Sequence, residues 1–284
     1  MQETGNKEIR ADIDLIDDSF DISQSESYHL SILTFPGRLS FCVCDTLNNR
    51  YVIQRNYPLL YTDRNSMISE CKLVFEKDDL LGLCYKSCCH LLVSPYFTLV
   101  PEELFDNEET DIFLKFNHGA LEGEKILHNH VKSANMYNVF SYPEEMYALL
   151  KLFQPNINLL HHTSPLINCL VTERYSTDKP VMAAYFYSGN LDIAIIKNNK
   201  LLFYNTFKID APEDSVYYFM LLSNSFDIEL KATTIMYPGN YNHIPPEIAI
   251  INIYVESIVE IQRFKDSEIQ CFELLNLELL NFKS

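Results

Sequence analysis

Tryptophan is absent from this 284-residue sequence, and glycine occurs only seven times. So few glycines exclude collagen-like and glycine-rich flexible architectures. Each one that sits in a turn is therefore informative. Basic residues are also scarce: 22 Lys and Arg stand against 39 Asp and Glu, a formal charge of −17. A surface this acidic repels phosphate backbones and anionic lipids, and no basic run offsets it, so neither nucleic acid nor a membrane surface is expected as a partner. The charge suits solubility and, as a ligand, a protein with a basic face. No apolar run approaches the length of a membrane span, and the start lacks the charged and apolar regions of a signal peptide. The expected location is the cytoplasm, where the eight cysteines would be reduced thiols.

What is abundant is apolar and aromatic: 47% hydrophobic residues, with 18 Tyr and 18 Phe. A chain of this length and composition can fill one large or two ordinary cores. Residues 1–27 are polar and acidic and read as an N-terminal arm, docking locally through Leu15, Ile16 and Phe20, with order beginning near Tyr28.

Two stretches carry the architecture. Ile32 to Val43 reads ILTFPGRLSFCV, and Ala184 to Ile195, about 152 residues later, reads AYFYSGNLDIAI. Both are alternating strands joined by a tight turn that holds a glycine, Gly37 and Gly189. Further elements follow in the same order in each half. HLSILTF, RLSFCVCD and RYVIQRNY are three strands, and Asn65 to Phe75 is a helix. CCHLLVS is a buried strand. In the second half VMAAYFY, LDIAIIKN and KLLFYNTFKI are strands, the run APEDSVYYFMLLSNSF is a helix and KATTIMY is a strand. VPEEL at Val100 reads as a helix start opposite IPPEI at Ile244. Between the halves lie KILHNHV and MYNVFSY as strands and Pro143 to Phe153 as a helix. INLLHH is then a strand and Ser164 to Tyr175 a helix. Tyr175 to Pro180 reads as the boundary, giving a first lobe over 28–176 and a second over 177–284.

Three meandering strands, a helix and a further strand, present twice, resemble the actin-like ATPase superfamily. That superfamily includes sugar kinases, heat-shock chaperones and PilM-type pilus-assembly ATPases. Over roughly residues 28 to 284 the chain also looks like a small uncharacterised bacterial family with a reduced version of that fold. The resemblance implies an α/β protein of two ribonuclease-H-like lobes, with nucleotide bound in the cleft between them.

In active relatives the first hairpin of each lobe wraps phosphate with an Asp-x-Gly turn. Here the matching positions read Phe35-Pro36-Gly37-Arg38 and Tyr187-Ser188-Gly189-Asn190. Both glycines are kept, and both aspartates are replaced by rings. A third, adenosine-holding loop corresponds to MYPGNYN, with Gly239 and Asn240. The resemblance thus points to Gly37, Arg38, Gly189, Asn190, Asp192, Gly239 and Asn240 as a degenerate nucleotide site. Phosphoryl transfer needs metal-held phosphates, and neither ring ligates Mg²⁺. Asp192 and Asp45 are the carboxylates nearest those turns in sequence. The expectation is a non-catalytic binding or scaffolding protein with no cofactor and a protein partner. The alternative is a divergent ATPase or small-molecule kinase using ATP and Mg²⁺ in the cleft. A primed hairpin turn by itself also explains both glycines.

Cysteine and histidine runs offer other chemistries. Cys42 and Cys44, and Cys88, Cys89 and His90, lack zinc-knuckle spacing and read as buried apolar positions. His128 and His130 alternate on one strand and read as solvent-facing. Cys89 with His161 is a conceivable nucleophile and base.

Overall fold

The structure is a computed structural model, and it describes residues 9–35, 37–61, 64–172, 179–238 and 246–261. The chain begins with a short strand, β1 (Ile13–Ile16), followed by the meander β2 (His29–Phe35), β3 (Arg38–Asp45) and β4 (Arg50–Pro58). Helix α1 (Arg64–Lys77) and strand β5 (Ser87–Leu92) come next. Then β6 (Phe97–Pro101), α2 (Thr110–His118), β7 (Glu124–Val131) and β8 (Met136–Pro143) form a separate unit. The first half closes with α3 (Glu144–Phe153), β9 (Asn158–His161) and α4 (Thr163–Thr172). The second half is a meander of β10 (Val181–Tyr187), β11 (Asn190–Lys197) and β12 (Lys200–Lys208), followed by α5 (Asp214–Ser225), β13 (Thr234–Pro238), α6 (Pro246–Ile251) and β14 (Ser257–Ile261).

Strand order exposes the duplication. The first sheet runs β1-β4-β3-β2-β5-β9 and the second β12-β11-β10-β13-β14. Without β1 both have the order third, second, first, fourth, fifth, with an antiparallel meander and two parallel strands. The repeat extends to irregularities. The ladder slips between Val43 and Cys44 in the first sheet and between Ile195 and Ile196 in the second, at matching positions of the second strand. In each hairpin the turn glycine's carbonyl accepts the amide of the residue that follows the third strand. Leu59 N donates to Gly37 O, and Ile209 N to Gly189 O, each at 2.8 Å. Bulges are placed features rather than accidents, so a shared one is a strong mark of common design.

The two sheets pack into one molecule through a shared core. Leu33, Cys44, Tyr51, Cys89 and Leu91 of the first sheet join Leu166 and Leu170 of α4, and these meet Val181, Ala183, Tyr185, Ala194 and Met236 of the second. Strand alternation produces this directly: one face of β2, β3 and β5 points at α4 and the second sheet, and the other at α1 and α3. Helix α3 buries Met146, Leu149 and Leu150, the face that its 3.6-residue spacing predicts.

Four expectations are corrected. Val100 and Pro101 of VPEEL end a strand instead of starting a helix. Phe97–Pro101 pairs with β8, and only Glu102–Leu104 turns, as one 3₁₀ turn. The helix that matches α6 in strand order is α3, so Pro143-Glu144-Glu145, not VPEEL, is the counterpart of Pro246-Glu247. A three-stranded sheet, β6-β8-β7, with α2 on it, is thus inserted into the first half around Val100, Leu114 and Val139. Order also precedes Tyr28: Ile13–Ile16 forms an edge strand on β4. Its Leu15 and Ile16 face solvent, and Phe20 docks instead, 5.7 Å from the Tyr28 ring. Finally, Cys42 is disulfide-bonded, against the expectation of wholly reduced thiols, whereas Cys44, Cys71, Cys84, Cys88, Cys89 and Cys169 carry no disulfide. The expected boundary at Tyr175–Pro180 begins outside the described residues.

Candidate functional site

Both hairpin turns sit at the ends of their sheets, and backbone geometry explains the glycines. Gly37 has φ +87° and Gly189 φ +73°, preceded by Ser188 at +43°. Two consecutive left-handed residues between the paired Tyr187 and Asn190 make the primed turn that suits a twisted hairpin. A Cβ on Gly189 would lie 3.3 Å from the Ile209 carbonyl oxygen, while one on Gly37 meets nothing within 4 Å. Gly189→Val is therefore expected to lower stability by about 2 kcal/mol, more than Gly37→Ala, as read from urea midpoints.

The first hairpin is held within its own half. Gly37 N donates to Tyr61 Oη at 2.9 Å, and the Arg38 guanidinium lies 5.3 Å over the Phe35 ring. Phe35 packs against the core shared by the two sheets. Asp45, at the far end of β3, caps the next turn through the amides of Leu47 and Asn48 and the Asn48 side chain. Burial opposes its ionisation, but these donors outweigh burial and hold its carboxyl below the usual range.

The second hairpin stands over a buried polar cluster. Asp192, one alternation beyond Asn190 on β11, is 1% exposed. Four side chains donate to its carboxylate. His162 Nε2 lies 2.7 Å and Tyr204 Oη 2.7 Å from Oδ2. Thr206 Oγ1 lies 2.6 Å and Tyr187 Oη 3.0 Å from Oδ1. His162 comes from the first half, at the junction of β9 and α4, and is fully buried. Tyr187, the ring in the place of the second aspartate, thus turns its hydroxyl to Asp192 and, at 3.5 Å, to the Ser94 carbonyl. Burial, then the neighbouring Asp192 charge, raises the hydroxyls of Tyr187 and Tyr204 above the ordinary tyrosine range, so both remain protonated donors. His161 beside them donates Nε2–H to the Ser94 carbonyl at 2.9 Å.

Outside this cluster lies a cavity of 530 Å³ between the inserted unit and the second sheet. Asn190, Asn205, Thr206 and Lys208 line one wall, and Thr98, Asn117 and His118 the other. Tyr96, Phe97 and Tyr204 supply rings, and no carboxylate lines it. Of the residues expected from sequence, Asn190 reaches this cavity and Asp192 lies directly behind it through Thr206 and Tyr204. Gly37 and Arg38 are not among its lining residues. Gly239 and Asn240 lie outside the described residues. The site residues that sequence reading missed are His162, Tyr204, Thr206 and Lys208. The only linear signals were the paired His161-His162 at a strand end and the alternation of Tyr204, Thr206 and Lys208 on β12.

Among the described residues no cluster of three acidic, histidine or cysteine side chains could hold a metal ion, and the one nearby carboxylate is enclosed. The Cys89–His161 dyad is also not formed. Cys89 pairs in register with Asn158 and enters the core between the sheets, while His161 pairs with Leu92 and so faces the other side. His128 and His130 are exposed on β7.

Two sheets of the same unusual order, joined face to face, define the actin-like ATPase fold. The chain belongs to the family described as a protein of unknown function, DUF3822, whose model matches residues 17–258. Among solved structures it is similar to a Bacteroides thetaiotaomicron protein with actin-like ATPase fold and unknown function. That match has 22% identity and a TM-score of 0.76, and covers 85% of this chain and 93% of the other. It is also similar to the PilM–PilN type IV pilus biogenesis complex, at 10% identity and a TM-score of 0.51, covering 84% and 89%. No protein of curated function matches the sequence.

Proposed function

We propose that this chain is a non-catalytic binding module of the actin-like fold, built from lobes over residues 28–176 and 177–284, which acts in the cytoplasm by holding a protein partner. The enclosed Asp192 carries this reading. Asp192, the acid on the second hairpin's own strand, spends both oxygens on His162, Tyr187, Tyr204 and Thr206, so it has no free lone pair aimed at a metal or a water. Phe35 and Tyr187 fill the positions where phosphoryl transfer would need carboxylates. The partner reading is supported by the formal charge of −17, which favours a basic protein surface, and by the neighbour whose structure is a PilM–PilN complex. No described helix is long and apolar enough to cross a membrane.

Melting the protein in rising Mg-ATP tests the non-catalytic claim. A ligand of the native state raises the melting temperature in proportion to its occupancy. The expected outcome is no saturable rise up to millimolar nucleotide. A saturable, magnesium-dependent rise would replace this reading with the divergent ATPase or kinase.

A further inference from the structure

Duplication shows what the fold itself requires on its surface. Helix α5 follows the second meander as α1 follows the first, so the two hold the same place in their halves. Their inward positions match. Cys71, Val74 and Phe75 of α1 and Phe219, Leu222 and Ser223 of α5 are buried at the same spacing. Outward positions then pair Ser69 with Tyr217 and Lys72 with Met220. On α1 this stripe is polar, and Lys72 and Glu76 form an i,i+4 ion pair at 3.7 Å. On α5 it is apolar: Tyr217 is 62% exposed, Met220 40% and the adjoining Leu221 41%. Single exposed apolar side chains are ordinary, but three at i, i+3 and i+4 make one continuous stripe. The scaffold accepts a polar face at this place, so packing within the chain does not account for the apolar one.

Charge around the stripe selects its occupant. From Ile209 to Leu230 the chain carries Asp210, Glu213, Asp214, Asp227 and Glu229, and no Lys, Arg or His. Asp214 is taken up at the start of α5, where it accepts the amides of Asp210 and Ala211. Asp210 and Glu213 at one end of the helix, and Asp227 and Glu229 at the other, form no ion pair among the described residues. A second copy laid antiparallel on this face would set acids against acids at both ends, and an anionic lipid surface would be repelled as well. An amphipathic helix with apolar residues at the same spacing and Lys or Arg at both ends is complementary in shape and in charge. We infer, on the reading that the chain holds a protein partner, that α5 is the docking face, and that the partner presents a basic amphipathic helix whose apolar side packs on Tyr217, Met220 and Leu221.

Fluorescence anisotropy of a labelled leucine–lysine peptide of about four helical turns, titrated with the full chain, tests this. Its leucines stand at helical spacing on one side. A scrambled peptide of the same composition, and one with glutamate in place of lysine, are the comparisons. The striped basic peptide is expected to bind saturably, more tightly than either comparison, and less tightly as salt rises. Tyr217→Ser with Met220→Lys gives α5 the face that α1 already carries. This variant is expected to keep its melting temperature and to weaken binding at least about tenfold. Should it fail to fold, Glu213→Gln with Glu229→Gln, both at exposed positions, is expected to weaken binding and flatten its salt dependence. Absence of binding by the striped peptide would overturn the assignment, as would equal binding of the scrambled one. Self-association of the chain that is lost in the Tyr217→Ser, Met220→Lys variant would make a second copy the occupant and overturn it too. Binding undiminished in every variant would overturn the placement on α5 alone, whereas a saturable Mg-ATP shift would overturn the partner reading beneath it.

Discussion

Asp192→Ala should destabilise the protein by about 4 kcal/mol. The carboxylate is 1% exposed and gathers donors from the two strands flanking its own and from His162 of the other half. Removing it leaves four buried donors facing a small void. Breaking a buried charged network by deleting one member typically costs about 3–5 kcal/mol, because the remaining groups stay desolvated without partners. Asp192→Asn keeps the volume but offers one acceptor oxygen and two unwanted protons to a ring of donors, so it should recover less than half of the loss. Urea midpoints with an unchanged slope are the measurement. A loss below about 1 kcal/mol for the alanine variant would mean that the cluster is open to water in solution.

Acid should weaken the fold well above the carboxylate range. Burial pushes His90 down to about 3, where it bridges Thr34 Oγ1 at 2.7 Å and Tyr142 Oη at 2.8 Å. His161 is held well below its usual 6.5 by burial and then by the neighbouring His162. Both are neutral in the folded state, and both take up protons near pH 6.5 once unfolded. The unfolded chain therefore binds more protons below that pH, and stability falls as pH falls, from about 6.5 down towards 3. Their contribution is fully present above pH 7. Each histidine should remove about 2 kcal/mol between pH 7 and pH 5. His90→Gln would be less stable at pH 7, but its stability should fall less steeply with acid. A flat profile from pH 7 to pH 5 would show that both imidazoles reach solvent in the native state.

The fold was legible because its signals are local. The hairpins at Gly37 and Gly189 announce themselves by alternation around a turn residue, and each brings its third strand within a few residues. Helix α1 was expected over 65–75 and spans Arg64–Lys77. The inserted sheet was read in part. KILHNHV and MYNVFSY are strands, but VPEEL reads as a helix start because Pro101-Glu102-Glu103 has the composition of one, and the strand Phe97–Pro101 before it goes unread. What makes Phe97–Pro101 a strand is its pairing with Met136–Phe140, a partner too distant in sequence for any short window to detect.

The site shows the same division. Asn190 was named through the family resemblance, as the residue after the turn glycine, and it lines the cavity. The meaning of Asp192 did not, because its fate depends on register. Thr206 lies opposite it across β11 and β12, and in the first sheet the matching pair is Ser40 and Asn56, joined by a 2.6 Å hydrogen bond. A repeat alignment would have paired Asp192 with Ser40, a hint that this position serves internal polar contact in both halves. The role of His162 lay furthest from reach, since its acceptor belongs to the other half of the chain.

The central claim is that a buried polar link between His162 and Asp192 joins the two halves and takes up the carboxylate on the second hairpin's strand. A double-mutant cycle measures that link most directly, using His162→Gln, Asp192→Asn and the pair together, followed by urea unfolding. The account predicts a coupling of about 2 kcal/mol, the double variant being less destabilised than the sum of the single ones. Strict additivity would contradict it and leave the cleft free to open.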